Sequence, residues 1–154
     1  MERVDPDETL RPVDVGLTEA ERDFVTRGLC EWGGPARAAQ ESAILAGFAD
    51  AEEMYAGTQR LRRALERQEP LSRRDWRRAA ILTELIFASD FYGAGVEWEI
   101  VTGRDEVADL RLLRELQRKL IGVCPPPHDA APPRAVAHTS KLAPRRQLAR
   151  PSGR

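Results

Sequence analysis

The side chains that most often do chemistry are few in this chain. Both histidines, His128 and His138, lie beyond residue 122, in a stretch with no aromatic residue and seven of the eleven prolines. The part that can fold therefore has no imidazole to act as a general base near neutral pH or to ligate a metal. That removes Ser-His and Cys-His nucleophile schemes and the Glu-x-x-His di-metal bundle. Cys30 and Cys124 are not at zinc-binding spacing. Gly93-Ala94-Gly95 lacks the third glycine and the flanking strand of a phosphate loop. Carboxylates remain: Glu84 inside an apolar run, then Asp90, Glu97 and Glu99. Gathered together they could hold a hard cation or keep one acid protonated. Acids are frequent along the whole chain, so four near each other are weak grounds for a site. The reading is no enzyme, no cofactor, no metal and no small-molecule substrate, with a cation site on those four acids as an outlying alternative.

Arginines carry the strongest positional signal. Arg60, Arg62, Arg63, Arg67, Arg73, Arg74, Arg77 and Arg78 stand against Glu66, Glu69 and Asp75, a net +5 over residues 60–78. Pro70 separates two helical segments there, so the charges should share one edge of the molecule. With Trp76 beside them, they have the composition of a surface that contacts phosphates. A solvated face is the simpler account, because arginine outnumbers lysine 22 to 2 across the chain, as a GC-rich gene would produce. By helical phase Arg73, Arg74, Arg77 and Arg78 should point outward.

A second nucleic-acid signal lies at Ala43-x-x-x-Gly47-Phe48, where a small residue and a glycine suit the bend of a helix-turn-helix. Over roughly fifteen residues it resembles the turn of AraC-type regulators, with Met54 at the apolar position six beyond Phe48. The resemblance implies a DNA-binding regulator using residues 35–61. The chain departs from it where a recognition helix would begin, since Asp50, Glu52 and Glu53 would meet phosphates with like charge.

The elements that must position these residues are helices. Thr18–Glu21, Asp50–Glu53, Ser72–Asp75 and Thr102–Asp105 each pair a capping oxygen with a carboxylate three residues on, ahead of an apolar stripe. They predict helices from about 19 to 30 or 32, after 50, after 72 and after 102, and Pro35 opens another that ends before Gly47. Met54, Thr58, Leu61 and Leu65 form an i, i+4, i+7, i+11 series. Val107, Leu110, Leu113, Leu116 and Leu120 should face inward on the last helix. Residues 79–88 are apolar on nearly every face, the mark of a central helix. Between Gly93 and Gly95 and the last cap, Val96–Ile100 alternates like a strand, yet with nothing to pair with it a loop or short helix is expected.

The fold class is therefore all-α, a compact bundle of about five helices around a central apolar helix, with disordered termini. Residues 1–16 read as a flexible acidic segment, 17–122 as the helical domain and 123–154 as a disordered basic tail. Five acids against two arginines give −3 at the start, and six bases against Asp129 give +5 in the tail. No apolar run approaches the ~20 residues of a membrane helix, and the acidic start is not a secretory signal. The expected setting is cytoplasmic, without a membrane partner. The function expected is a non-enzymatic interaction or regulatory module binding a protein partner, or a second copy, through its helical surface and basic tail. Phe91, Tyr92 and Trp98 are the candidate interface. The alternative is a nucleic-acid-binding regulator using the helix-turn-helix-like element or the arginine edge.

Overall fold

Caps start the four long helices. The computed structural model of the chain describes residues 6–33 and 40–124. Helix α2 (Glu19–Glu31) opens on a complete capping box, in which the Thr18 hydroxyl accepts from Glu21 N at 3.2 Å and the Glu21 carboxylate accepts from Thr18 N at 2.7 Å. Asp50 caps α4 (Ala51–Glu66) at Glu53 N, and Ser72 caps α5 (Arg73–Ala88) at Asp75 N. The fourth cap falls three residues later than its pattern implies. Asp105, not Thr102, accepts from Ala108 N and opens α7 (Glu106–Ile121), while Thr102 ends the preceding short helix. Three short helices complete the set among the described residues: α1 (Pro6–Leu10), α3 (Gln40–Leu45) and α6 (Trp98–Thr102), the last entered through a 3-10 turn at Gly95–Glu97. The stretch that alternates like a strand is thus helical. The fold is all-α, apart from one two-residue antiparallel pair between β1 (Pro12–Val13) and β2 (Leu71–Ser72), with Pro12 opposite Ser72.

Helix α5 takes the central position expected of it and shares it with α2. Helix α2 packs on α4, α5 and α7, and α5 also meets α1, α3, α4 and α7. The two approach closely at Gly28, where an added methyl would crowd Ile86 Cγ2 at 3.2 Å. The Met54–Leu65 stripe is buried as its spacing predicts. On α7 the buried set is Asp109, Leu113, Leu116 and Leu120. Val107 and Leu110, expected inward, are exposed, because Asp109 rather than either of them sets the inward phase of the first turn.

An aromatic cluster joins the helices. The rings of Phe24, Phe87 and Trp98 meet edge to face at centroid distances of 5.3–5.9 Å. Each tryptophan also places its indole N–H: Trp32 on Leu82 O, Trp76 on Val13 O and Trp98 on the Asp109 carboxylate.

Two expected boundaries move. Residues 6–16, read as a flexible lead-in, are tied to the helical body by the β1–β2 pair, by Trp76 on Val13, by Arg73 to Glu8 at 2.9 Å and by Lys119 to Gly16 O at 2.9 Å. Cys124, placed in the tail by sequence, packs against the core and its thiol donates to Arg73 O. Burial raises its pKa above the usual thiol value. The remainder of the proposed tail, residues 1–5 and the 34–39 stretch containing Pro35 lie outside the described residues.

Glu21 and Asp75 are buried, which by itself raises a carboxyl pKa. At Glu21 the Lys119 ammonium at 2.6 Å and the Thr18 N–H and hydroxyl more than offset burial, and the pKa falls below its usual value. At Asp75 the two-pronged Arg60 contact, at 2.6 and 3.0 Å, does the same with help from Ser72. A carboxyl whose folded pKa lies below its unfolded value stabilises fully above the unfolded pKa, about 4, and loses that contribution as pH falls through the folded one. Glu21→Gln and Asp75→Asn should therefore lower the urea midpoint at pH 7 and approach wild type as the pH falls below the usual carboxyl range. A gap that is the same at pH 7 and at that lower pH would contradict this origin.

Candidate interaction surfaces

The arginine edge is largely engaged within the molecule. Arg60 grips Asp75, Arg62 pairs with Glu66 at 2.8 Å, and Arg73 pairs with Glu8 on α1. Arg67 lies 3.7 Å from Glu69, an exposed pair of little energetic weight. Arg78, expected to point outward, is buried at 9% exposure. It follows Asp75 and precedes Leu82 on the inward face of α5, where its guanidinium sits 4.0 Å from the Phe48 ring centroid. It donates to Gly47 O at 2.5 Å and to Glu53 at 3.3 Å. Arg63, Arg74 and Arg77 make no side-chain hydrogen bond or ion pair among the described residues, although Arg74 acts through its charge on Asp75 and Arg77 on Cys124.

The helix-turn-helix-like element exists as α3, a turn and α4. Gly47 takes φ +81°, a left-handed conformation that suits glycine, and Phe48 N closes on Ala43 O at 2.9 Å. Phe48 is then wedged between Arg78 and Gly57 of α4, where any Cβ would overlap its ring. Met54 is buried as the resemblance implies. The exposed opening of α4 presents Asp50, Glu52 and Glu53, and Glu53 is used locally on Ala49 N and Arg78.

Where α3 crosses α5 there is an open groove of about 330 Å³. Its apolar side is Ile44, Leu45 and Ile81, and Arg74 and Arg77 edge it next to the buried Arg78. Ile44 and Leu45 are more than half exposed. Sequence reasoning missed this groove because α3 had to be placed before its outer face could be assigned.

A second surface follows the C-terminal end of α5. The expected interface residues separate here: Phe91 is 95% exposed, Tyr92 is partly exposed and Trp98 is fully buried. Trp98 is removed from the interface because the 3-10 turn and α6 rotate it inward onto Asp109. Val96, Ile100 and Val107 are exposed in its place. Asp90 accepts from Val96 N at 2.8 Å, fastening Val96 to the Phe91 loop, and Glu99 accepts from Glu106 N at 2.9 Å, fastening the start of α7 to α6. The loop itself is pinned. Ser89 Oγ accepts from the N–H groups of Phe91 and Tyr92, and Ala94 N returns to Ile86 O at 2.8 Å. Gly93 and Gly95 are required, since a Cβ at Gly93 would strike the backbone of α5 and one at Gly95 would strike Asp90. Over residues 90–106, five carboxylates against Arg104 give −4.

The four acids weighed as a cation site do not converge. Glu84 bonds Gln117, Asp90 bonds Val96 N and Glu99 bonds Glu106 N. Among the described residues no three carboxylate, thiol or imidazole side chains stand where they could hold a metal ion, and no helix is long and apolar enough to cross a membrane. No family model, curated protein or solved structure matches this chain.

Two substitutions test the packing around Phe48. Alanine favours an exposed helix over glycine by about 0.8–1 kcal/mol, yet Gly57→Ala should lower stability, because overpacking against the Phe48 ring costs about 1–3 kcal/mol. Arg78→Ala should cost about 1.5–3 kcal/mol, because it removes the charged hydrogen bond to Gly47 O together with the buried contact on the Phe48 ring. Arg74→Ala and Arg77→Ala should stay within about 0.5 kcal/mol of wild type. Urea unfolding reads all four, and equal tolerance at residues 74, 77 and 78 would return Arg78 to the solvated face.

Proposed function

We propose that this chain is a non-enzymatic interaction module that binds a protein partner through the surface of Phe91, Val96, Ile100 and Val107. Phe91 carries the reading. Its side chain is 95% exposed, on a loop whose backbone is held by the bonds to Ser89, Asp90 and Ile86. Holding the contact residue in place before binding removes much of the ordering cost of association. An aromatic anchor among aliphatic neighbours is also the composition of an interface centre.

The acidic rim specifies the partner's chemistry. Glu97 and Asp105 are exposed beside the apolar residues, so a partner with an apolar cleft edged by cations is favoured in orientation and in rate of encounter. The absence of histidine from residues 6–124 and the dispersal of Glu84, Asp90, Glu97 and Glu99 support a non-enzymatic role. The nucleic-acid alternative has less support, because Arg63, Arg74 and Arg77 are few beside the ~6–10 phosphate contacts of a typical DNA-binding protein.

A photo-reactive amino acid placed at Phe91, with Tyr55 on α4 as the control position, tests the reading in cells. A protein cross-linked from residue 91 and not from 55 is identified, purified and titrated against wild type and Ile100→Glu. Loss of about tenfold or more in affinity is expected. Equal binding by the variant, or no position-specific product, overturns the reading. Steeply salt-dependent binding of DNA or RNA that is lost in Arg74→Gln/Arg77→Gln would replace it with the nucleic-acid alternative.

A further inference from the structure

We infer that the partner of the Phe91 surface is a second copy of this chain, whose α3–α5 groove receives the Phe91 loop to form a head-to-tail contact. This rests on the reading of the Phe91 surface as a docking face and names its occupant. The two surfaces are complementary in charge and alike in apolar character. One projects an aromatic residue with Val96 and Ile100 beside it, rimmed by net negative charge. The other is a recess of about 330 Å³ lined by Ile44, Leu45 and Ile81 and edged by Arg74 and Arg77, exposed cations with no ion pair among the described residues.

Both surfaces are formed in advance. Gly93 and Gly95 fix the projecting loop, and the Phe48–Gly57 wedge with Arg78 on Gly47 O fixes the turn beside the groove. The arginine edge of the groove lies on the N-terminal half of α5, and the loop follows its C-terminal end. From Arg77 to the end of α5 at Ala88 the helix rises about 16 Å at 1.5 Å per residue. The loop is tied back to Ile86, so it cannot enter its own groove. The contact is therefore between molecules, and it joins two different patches. Such heterologous contacts extend from copy to copy unless the rotation closes a ring.

Sedimentation of the full chain from about 10 µM to about 1 mM spans the affinities such a contact reaches. Wild type should show an average mass that rises with concentration and does not stop at the dimer, or stops at a ring of three or more. Phe91→Glu and Leu45→Glu should each lose the rise, and because both side chains are exposed, both variants should melt as wild type does. Ile44→Glu provides a second groove variant. The deciding result is the mixture: equimolar Phe91→Glu and Leu45→Glu should form a one-to-one dimer, since one intact loop then meets one intact groove. Raising the salt from about 50 to about 500 mM should weaken association. A wild-type chain that stays monomeric throughout overturns the inference, while a cross-linked foreign partner at residue 91 would leave the module reading standing. A Leu45→Glu protein that dimerises like wild type, with no gain on mixing, overturns it in favour of a symmetric contact through Phe91. Association lost in Leu45→Glu but kept in Phe91→Glu overturns both readings.

Discussion

The Asp109 carboxylate is the contact on which most of this structure hangs. It is 2% exposed and accepts from Trp98 Nε1 at 2.8 Å and from Arg104 Nε and Nη2 at 2.7 and 2.8 Å. Arg104 extends the chain of charge to Asp23 on α2. A buried carboxylate without such donors would be costly, and so would a buried indole N–H without an acceptor, so neither group tolerates the other's removal. Seating Trp98 completes the cluster with Phe24 and Phe87, which ties α6 and α7 to α2 and α5. The same seating fixes which side of the 95–102 turn faces out. With Trp98 turned inward, Val96 and Ile100 are left on the surface beside Phe91, so a buried polar network and an exposed apolar patch are two faces of one constraint.

Arginine plays a comparable structural part elsewhere. Its guanidinium can meet a carboxylate with two parallel donors and lie flat on an aromatic ring, which an ammonium cannot. Arg60 uses the first property on Asp75, joining α4 to the start of α5, and Arg78 uses the second on Phe48. The placement of cations at the positive end of α5 looks unfavourable in sequence. In the structure Arg73 is answered by Glu8 from α1, an acid far away along the chain. The arginine-rich edge is in good part the seam where α1, α4 and α5 are fastened, and only the positions turned away from that seam keep free charge.

Local signals in the sequence proved readable where one backbone satisfies them and ambiguous where two do. Thr18 with Glu21 admits a single helix start. Thr102 with Asp105 admits two, and the structure uses Asp105 because Gly103, at φ +69°, ends α6 first. Periodicity identified the Met54–Leu65 stripe but misplaced Val107 and Leu110. An apolar-only count cannot see that a buried acid, Asp109, defines the inward face. Phe91 and Trp98 could not be told apart, since their difference depends on a partner eleven residues further on. The N-terminal strand and the α3–α5 groove were equally out of reach, being made by residues dozens of positions apart.

The sizes of the competing energies decide what kind of contact the Phe91 surface can make. Burying a phenylalanine removes about 150 Å² or more from water, worth about 4 kcal/mol at 25 cal/mol per Å². A valine and an isoleucine add about 1.5–3 kcal/mol each when fully covered. Association itself costs about 4–15 kcal/mol in lost translation and rotation. Gain and cost are of the same size, so a contact of this kind is reversible, with affinity in the micromolar-to-millimolar range. In that regime the ordering of a single loop decides whether binding occurs at all. A loop pinned by Ser89, Asp90 and two obligatory glycines has met most of its ordering cost during folding, and opposite charges on the two rims of the proposed contact would favour its orientation and, at low salt, the contact itself.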